Sequence, residues 1–296
     1  MNKISVCSLF VIALFACKKP VPQSLQGIDN LEKAYEKTKD PNALQNLLNA
    51  YVTFVTGDTG DKNQKIEVLE KAEKLSKNNN RFQESVIFLN TLIKEDPSSE
   101  QAPDRILELA NLMKNVIRNE NAANTLYAGF LEKYPNHAKA GDIRKMYPSS
   151  GSLKSVIQGL ANNMYDDSLH QFNEGSATQY VDATEAYVLI NPNDSNSADL
   201  LNKAAETARQ LKTYSKAVSL YDWIIEKYPT SKFAPQALFL KAFTFDNDLH
   251  DVDKAKFYYE EFIKRYPTHD FADDAKVLLT NLGKTDQEFL ESIQKK

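Results

Sequence analysis

Apolar residues in this chain return every three or four positions. Leu201, Ala204, Ala205, Ala208 and Leu211 fall on one face of a helix, and Leu238, Ala242 and Phe245 on one face of another. Between such segments the chain repeats itself. The ten residues 225–234, IEKYPTSKFA, return as LEKYPNHAKA at 131–140 and as IKRYPTHDFA at 263–272. The prolines act as a ruler: Pro97 to Pro135 is 38 residues, Pro192 to Pro229 is 37, and Pro229 to Pro267 is 38. Twelve residues before three of these prolines stands an alanine (Ala123, Ala217, Ala255), and eight before stands a tyrosine (Tyr127, Tyr221, Tyr259). The block ending at Pro97 keeps the spacing with Ser85 and Leu89.

The spacing Ala-x3-Tyr-x7-Pro describes a helix that approaches a neighbour closely and then stops. Residues four apart share a helix face, so the alanine admits a second helix and the ring covers the adjacent gap. Proline lacks an N–H and disfavours helix in the residue before it, which closes the element. Ser231, or Thr230 beside it, is placed to cap the helix that follows. The repeated decapeptide is therefore predicted to be the corner between one helix pair and the next.

On these residues the chain resembles the tetratricopeptide repeat family, most closely over residues 237–284. The resemblance implies an all-α fold: a tetratricopeptide-type superhelix of antiparallel helix pairs. It extends in part to the repeats of periplasmic Tol–Pal coordinator proteins and of the outer-membrane assembly lipoprotein. Ala242 stands where that family usually has glycine. The likeness is clear over 195–284, partial over 62–136 and weak over 138–193. In the weak stretch YPSSGS (147–152) is a turn that divides two half-solenoids, followed by a degenerate repeat at 152–192 carrying Ala183 and Tyr187. GDTGDKN (57–63) reads as a loop between helices. Gly283 reads as a left-handed helix stop, and Thr285 with Glu288 as the capping box of a last helix.

Composition adds a leader. Residues 4–16 are almost wholly apolar behind Lys3 but only thirteen long, short of the roughly 20 that span a bilayer. The run ends in LFAC (14–17), which resembles the lipobox of bacterial lipoprotein precursors. That resemblance implies cleavage before Cys17, lipidation of Cys17, and an outer-membrane anchor facing the periplasm. The expected organisation is a lipoprotein signal peptide at 1–16, lipidated Cys17 and a linker at 17–27, N-terminal repeats at 28–147, and C-terminal repeats with a capping helix at 152–296. Cleavage removes Lys3 and moves the formal charge from −4 to −5. A mildly acidic body argues against nucleic acid as a partner. With Cys7 lost and Cys17 lipidated, no disulfide is possible.

Catalytic and metal signatures are sparse. His137, His170, His250 and His269 lack zinc spacing, and THDFADD (268–274) gathers acids where they favour a helix dipole. QES (83–85) is similar to the lytic transglycosylase signature, whose Glu is a general acid, but the segment that should follow is missing. The expectation is a non-catalytic chain with no cofactor and no metal. The resemblance implies a scaffold or adaptor that binds protein or peptide partners of the cell envelope in a groove lined by the first helix of each pair. Carried onto the clearest repeats, the groove residues are Asp199, Asn202, Glu206, Arg209 and Gln210, then Gln236, Phe239, Phe243, Asp246 and Asn247. Phe239 and Phe243 have an alternative role in packing on a neighbouring helix. The rival functions are a carbohydrate-capture outer-membrane lipoprotein, for which Trp223 is the one tryptophan, and a peptidoglycan-acting enzyme.

Overall fold

The protein is described by a computed structural model covering residues 24–57, 59–147, 151–166 and 171–284. The apolar leader, Cys17, His170, Thr285 and Glu288 lie outside the described residues. Within them the chain is all-α apart from one pair of two-residue strands. Helices α1 (Leu25–Thr38) and α2 (Pro41–Thr56) form the first antiparallel pair, and α3 (Lys62–Asn78) and α4 (Phe82–Glu95) the second. The third is α5 (Ala102–Leu112) with α6 (Glu120–Lys133). After α7 (Ala140–Met146) and α8 (Leu153–Asn162), strands β1 (Tyr165–Asp166) and β2 (Gln171–Phe172) lead into α9 (Glu174–Ile190). Regular pairing resumes with α10 (Ser197–Gln210) and α11 (Tyr214–Lys227), then α12 (Phe233–Phe243) and α13 (Val252–Arg265), followed by α14 (Ala272–Asn281). Ser24 caps α1, so helix begins inside the segment read as linker.

The repeated decapeptide is a corner, and the structure builds it five times. At Asp96, Tyr134, Asn191, Tyr228 and Tyr266, each just before a proline, the backbone N–H closes the preceding helix onto the carbonyl four residues back. Three residues on, Ser99, His137, Asp194, Ser231 and His269 turn the chain, each donating its N–H to that pre-proline carbonyl. Their side chains then accept the N–H two residues further along, at 2.9–3.3 Å. Ser231, not Thr230, is therefore the capping residue of its corner. His137 and His269 do the same work through Nδ1 while their rings meet Phe130 and Phe262 edge-on. Each corner ends on a small buried residue: Ala102, Ala140, Ser197, Ala234 or Ala272.

The turns inside the pairs share a second device. Lys39, Asn80, Arg118, Lys212 and His250 all adopt left-handed backbone, each five residues before Leu44, Ser85, Ala123, Ala217 or Ala255 on the next helix. None is glycine, and such a conformation costs roughly 1–2 kcal/mol for an L-residue. The alanines and tyrosines of the ruler are buried to 2% exposure or less, so the register read from the sequence is the packing register. Two first helices end in a π-helical turn, Met113–Ile117 after α5 and Thr244–Asp248 after α12. These are the two repeats of 38 residues; the repeat of 37 between Pro192 and Pro229 has none. The extra residue is absorbed as one wide turn.

The middle of the chain corrects an expectation. The expected division into two half-solenoids at 147–152 is not matched by two separate cores, because one core holds buried residues from Val86 to Ala237 on both sides of that segment. α9 packs on α4, α6, α8 and α10 at once. Eleven of its residues are buried, so it has no polar face and no amphipathic period to detect. The repeat pattern is weak there because eleven of the seventeen residues of its second helix are buried. α4 reaches further still: Lys94 Nζ lies 3.8 Å from the ring centre of Trp223 on α11, and Glu95 pairs with Lys227 at 2.7 Å.

Candidate functional site

Nine of the ten groove residues, on α10, α12 and the π-helical turn after it, make polar or cation–π contacts in several separate groups. Glu206 Oε1 accepts from Asn202 Nδ2 at 2.8 Å and, across the helix boundary, from Gln236 Nε2 at 3.1 Å. Arg209 Nε donates to Asp248 Oδ2 at 2.5 Å, and its guanidinium lies 4.8 Å from the ring centre of Phe243. Asp199 pairs with Lys203 one turn away, and Asn247 Nδ2 donates to Asp248. Asp246 accepts the hydroxyl of Tyr259 at 3.2 Å. Gln210 accepts the hydroxyl of Tyr165, which the β1–β2 hairpin brings over from an insertion before α9.

Phe239 takes the packing alternative. Its ring stands 4.8 Å from Phe271, 5.6 Å from Phe262 and 6.1 Å from Tyr259, half-buried against the last core cluster. Phe243, one turn on, stays outside that cluster and is covered by Arg209 instead. The two rings looked equivalent in the sequence; the position of α13 and α14 separates them.

Three residues of this site were not legible beforehand. Asp248 lies in the π-helical turn, whose extra residue shifts the helical register there. Tyr165 comes from the hairpin, which the reading of a degenerate repeat did not anticipate. Tyr221 was recognised only as a packing ring. Beneath the row, burial and the carboxylates of Asp199 and Glu206 push Tyr180 up to about 12. Burial raises Tyr221 as well, with Glu206 and Asp248 adding and Arg209 opposing. Tyr259 is raised by burial and by Asp246. All three phenols therefore remain protonated at any physiological pH.

The other candidates are occupied structurally. Glu84 of the QES triplet is bound by the Arg81 guanidinium, which also donates to Gln45 at 2.8 Å. Ser85 is fully buried and donates to Glu73. This triplet borders a cleft of about 450 Å³ between residues 80–84 and Val116 and Ile117. Trp223 is 6% exposed beneath Lys94, which leaves no open ring for a sugar. Among the described residues no three His, Cys, Asp or Glu side chains come together as a metal-ion cage. No helix among them is long and apolar enough to cross a membrane.

Residues 236–269 match the family model of the tetratricopeptide repeat, from Gln236 through the π-helical turn and α13 to the corner at His269. No curated protein matches the chain. The fold is an all-α array of antiparallel helix pairs of tetratricopeptide type. Arrays of this class generally bind other proteins on extended surfaces.

Proposed function

We propose that the protein is a non-catalytic scaffold of the bacterial cell envelope, anchored by lipid at Cys17, which binds a protein or peptide partner on the face of α10 and α12. The observation that carries the binding face is the row from Tyr165 through Gln210, Arg209 and Phe243. It offers a side-chain amide, two part-exposed rings and charge, the mixture that holds an extended segment. Arg209 sits at its centre. Arg209→Glu breaks the Asp248 pair and puts two carboxylates together, and Phe243→Ser removes the ring. Each variant is expected to lose about 2 kcal/mol or more of partner binding while melting within a few degrees of the parent. The partner is first obtained by crosslinking in the native cell. If both variants capture it at parental levels, the binding site lies elsewhere.

The anchor rests on the LFAC sequence and a thirteen-residue apolar leader. Cys17→Ala is expected to move the protein from the membrane pellet to the soluble periplasmic fraction. Retention in the pellet at high salt would overturn the lipid reading.

A further inference from the structure

The α10/α12 face is short of positive charge and rich in acceptors. Its carboxylates are Asp199, Glu206, Asp246 and Asp248; its cations are Lys203 and Arg209, both already paired. Lys241 of α12 turns away to Asp222 and the Tyr258 ring. Glu206 is exposed, takes two neutral amides, and has no cationic partner among the described residues.

A buried atom beside it is unpartnered. Asn202 is 4% exposed, and because its Nδ2 faces Glu206, the amide orientation is fixed and Oδ1 is left without a donor. A buried acceptor without a donor costs free energy that a bound N–H recovers. At the end of the row Tyr165 is 54% exposed beside Phe172, 5.3 Å between ring centres, a flat surface of the kind that cations and their alkyl stems cover.

We propose that Glu206 and Asn202 form a subsite for a cationic side chain, lysine or arginine, of a partner segment that runs along α10 toward Tyr165. The proposal rests on the reading of this face as the binding face and adds the charge of what binds there. An ammonium or guanidinium group supplies the donor that Asn202 Oδ1 lacks and the cation that Glu206 lacks, and it halves an excess of two negative charges. An acidic segment would meet four carboxylates and is disfavoured.

The test is an array of random-sequence twelve-residue peptides, probed with the purified chain lacking residues 1–16 and with its Glu206→Gln variant. Glu67→Gln, on α3, is the control for loss of an exposed charge elsewhere. Peptides bound by the parent and the control are expected to be enriched in Lys and Arg. Glu206→Gln is expected to remove that enrichment and weaken the best peptides by up to about fivefold, with unchanged melting. Binding without preference for basic peptides, a preference for acidic ones, or enrichment that survives Glu206→Gln would each overturn the cationic subsite while leaving a peptide-binding face intact. Absence of any bound peptide would overturn both readings.

Discussion

Replacing Lys216 with methionine is expected to cost about 3–5 kcal/mol of stability. Lys216 is 4% exposed at the start of α11, and its Nζ meets Glu185 of α9 at 2.5 Å. One turn earlier on α9, Asp182 is 8% exposed and accepts from Asn119, the cap of α6, at 2.8 Å. Burial raises the Asp182 carboxyl, Lys216 and the Asn119 hydrogen bond lower it, and Glu185 raises it again. Methionine keeps the volume and removes the charge, leaving two acids facing one another in the helix hub. Urea unfolding of parent and variant measures the difference. Its pH dependence has a definite sign. A carboxyl whose folded pKa lies above its unfolded value takes up protons on folding, so stability rises as pH falls through the folded value toward the unfolded one. Loss of Lys216 removes a lowering influence on Asp182 and widens that window. The deficit at pH 7 should therefore shrink as pH is lowered toward 5. A loss below about 1 kcal/mol, or a deficit that grows on acidification, would show that the lysine is not the counter-ion of the hub.

How much of this was legible in the sequence follows from what each residue does locally. Ala217, Tyr221 and Pro229 each answer to a constraint within a few residues, namely close approach, gap filling and helix termination, so their spacing disclosed the fold. Ser231 and His269 look unrelated, yet each places one acceptor atom over the N–H two residues on, Phe233 or Phe271, which only the hydrogen bond discloses. α9 was obscure for the opposite reason: a helix buried on every side has no period to read. The β1–β2 hairpin interrupts the repeat, and nothing in Tyr165 or Phe172 signals that it will lie against Gln210. Of the groove residues, those on α10 keep a strict helical register and were placed together. Beyond Phe243 the π-helical turn shifts the register and brings Asp248 to Arg209.

The same geometry makes Phe239→Ser and Phe243→Ser unequal, although the residues are one turn apart on one helix. Phe239 fills the space between α12, α13 and α14, with three aromatic rings within 6.1 Å. Truncating it opens a cavity beside Phe262, which is fully buried, and places a hydroxyl in a largely aromatic environment. Phenylalanine truncation in such a core costs about 3–5 kcal/mol, and a half-buried ring falls toward the lower end, so about 3 kcal/mol is expected. Phe243 lies outside the cluster beneath the Arg209 guanidinium, and its loss forfeits one cation–π contact worth about 0.5–1 kcal/mol at an exposed site. Parallel urea titrations should thus separate the two variants by about 2 kcal/mol, with Phe239→Ser the weaker fold. Partner capture should divide them the other way: Phe243→Ser folds and fails to bind, whereas any loss in Phe239→Ser tracks its loss of structure. Equal stabilities would mean that α14 does not hold Phe239, and the end of the array would then pack differently from the arrangement of α12, α13 and α14 described above.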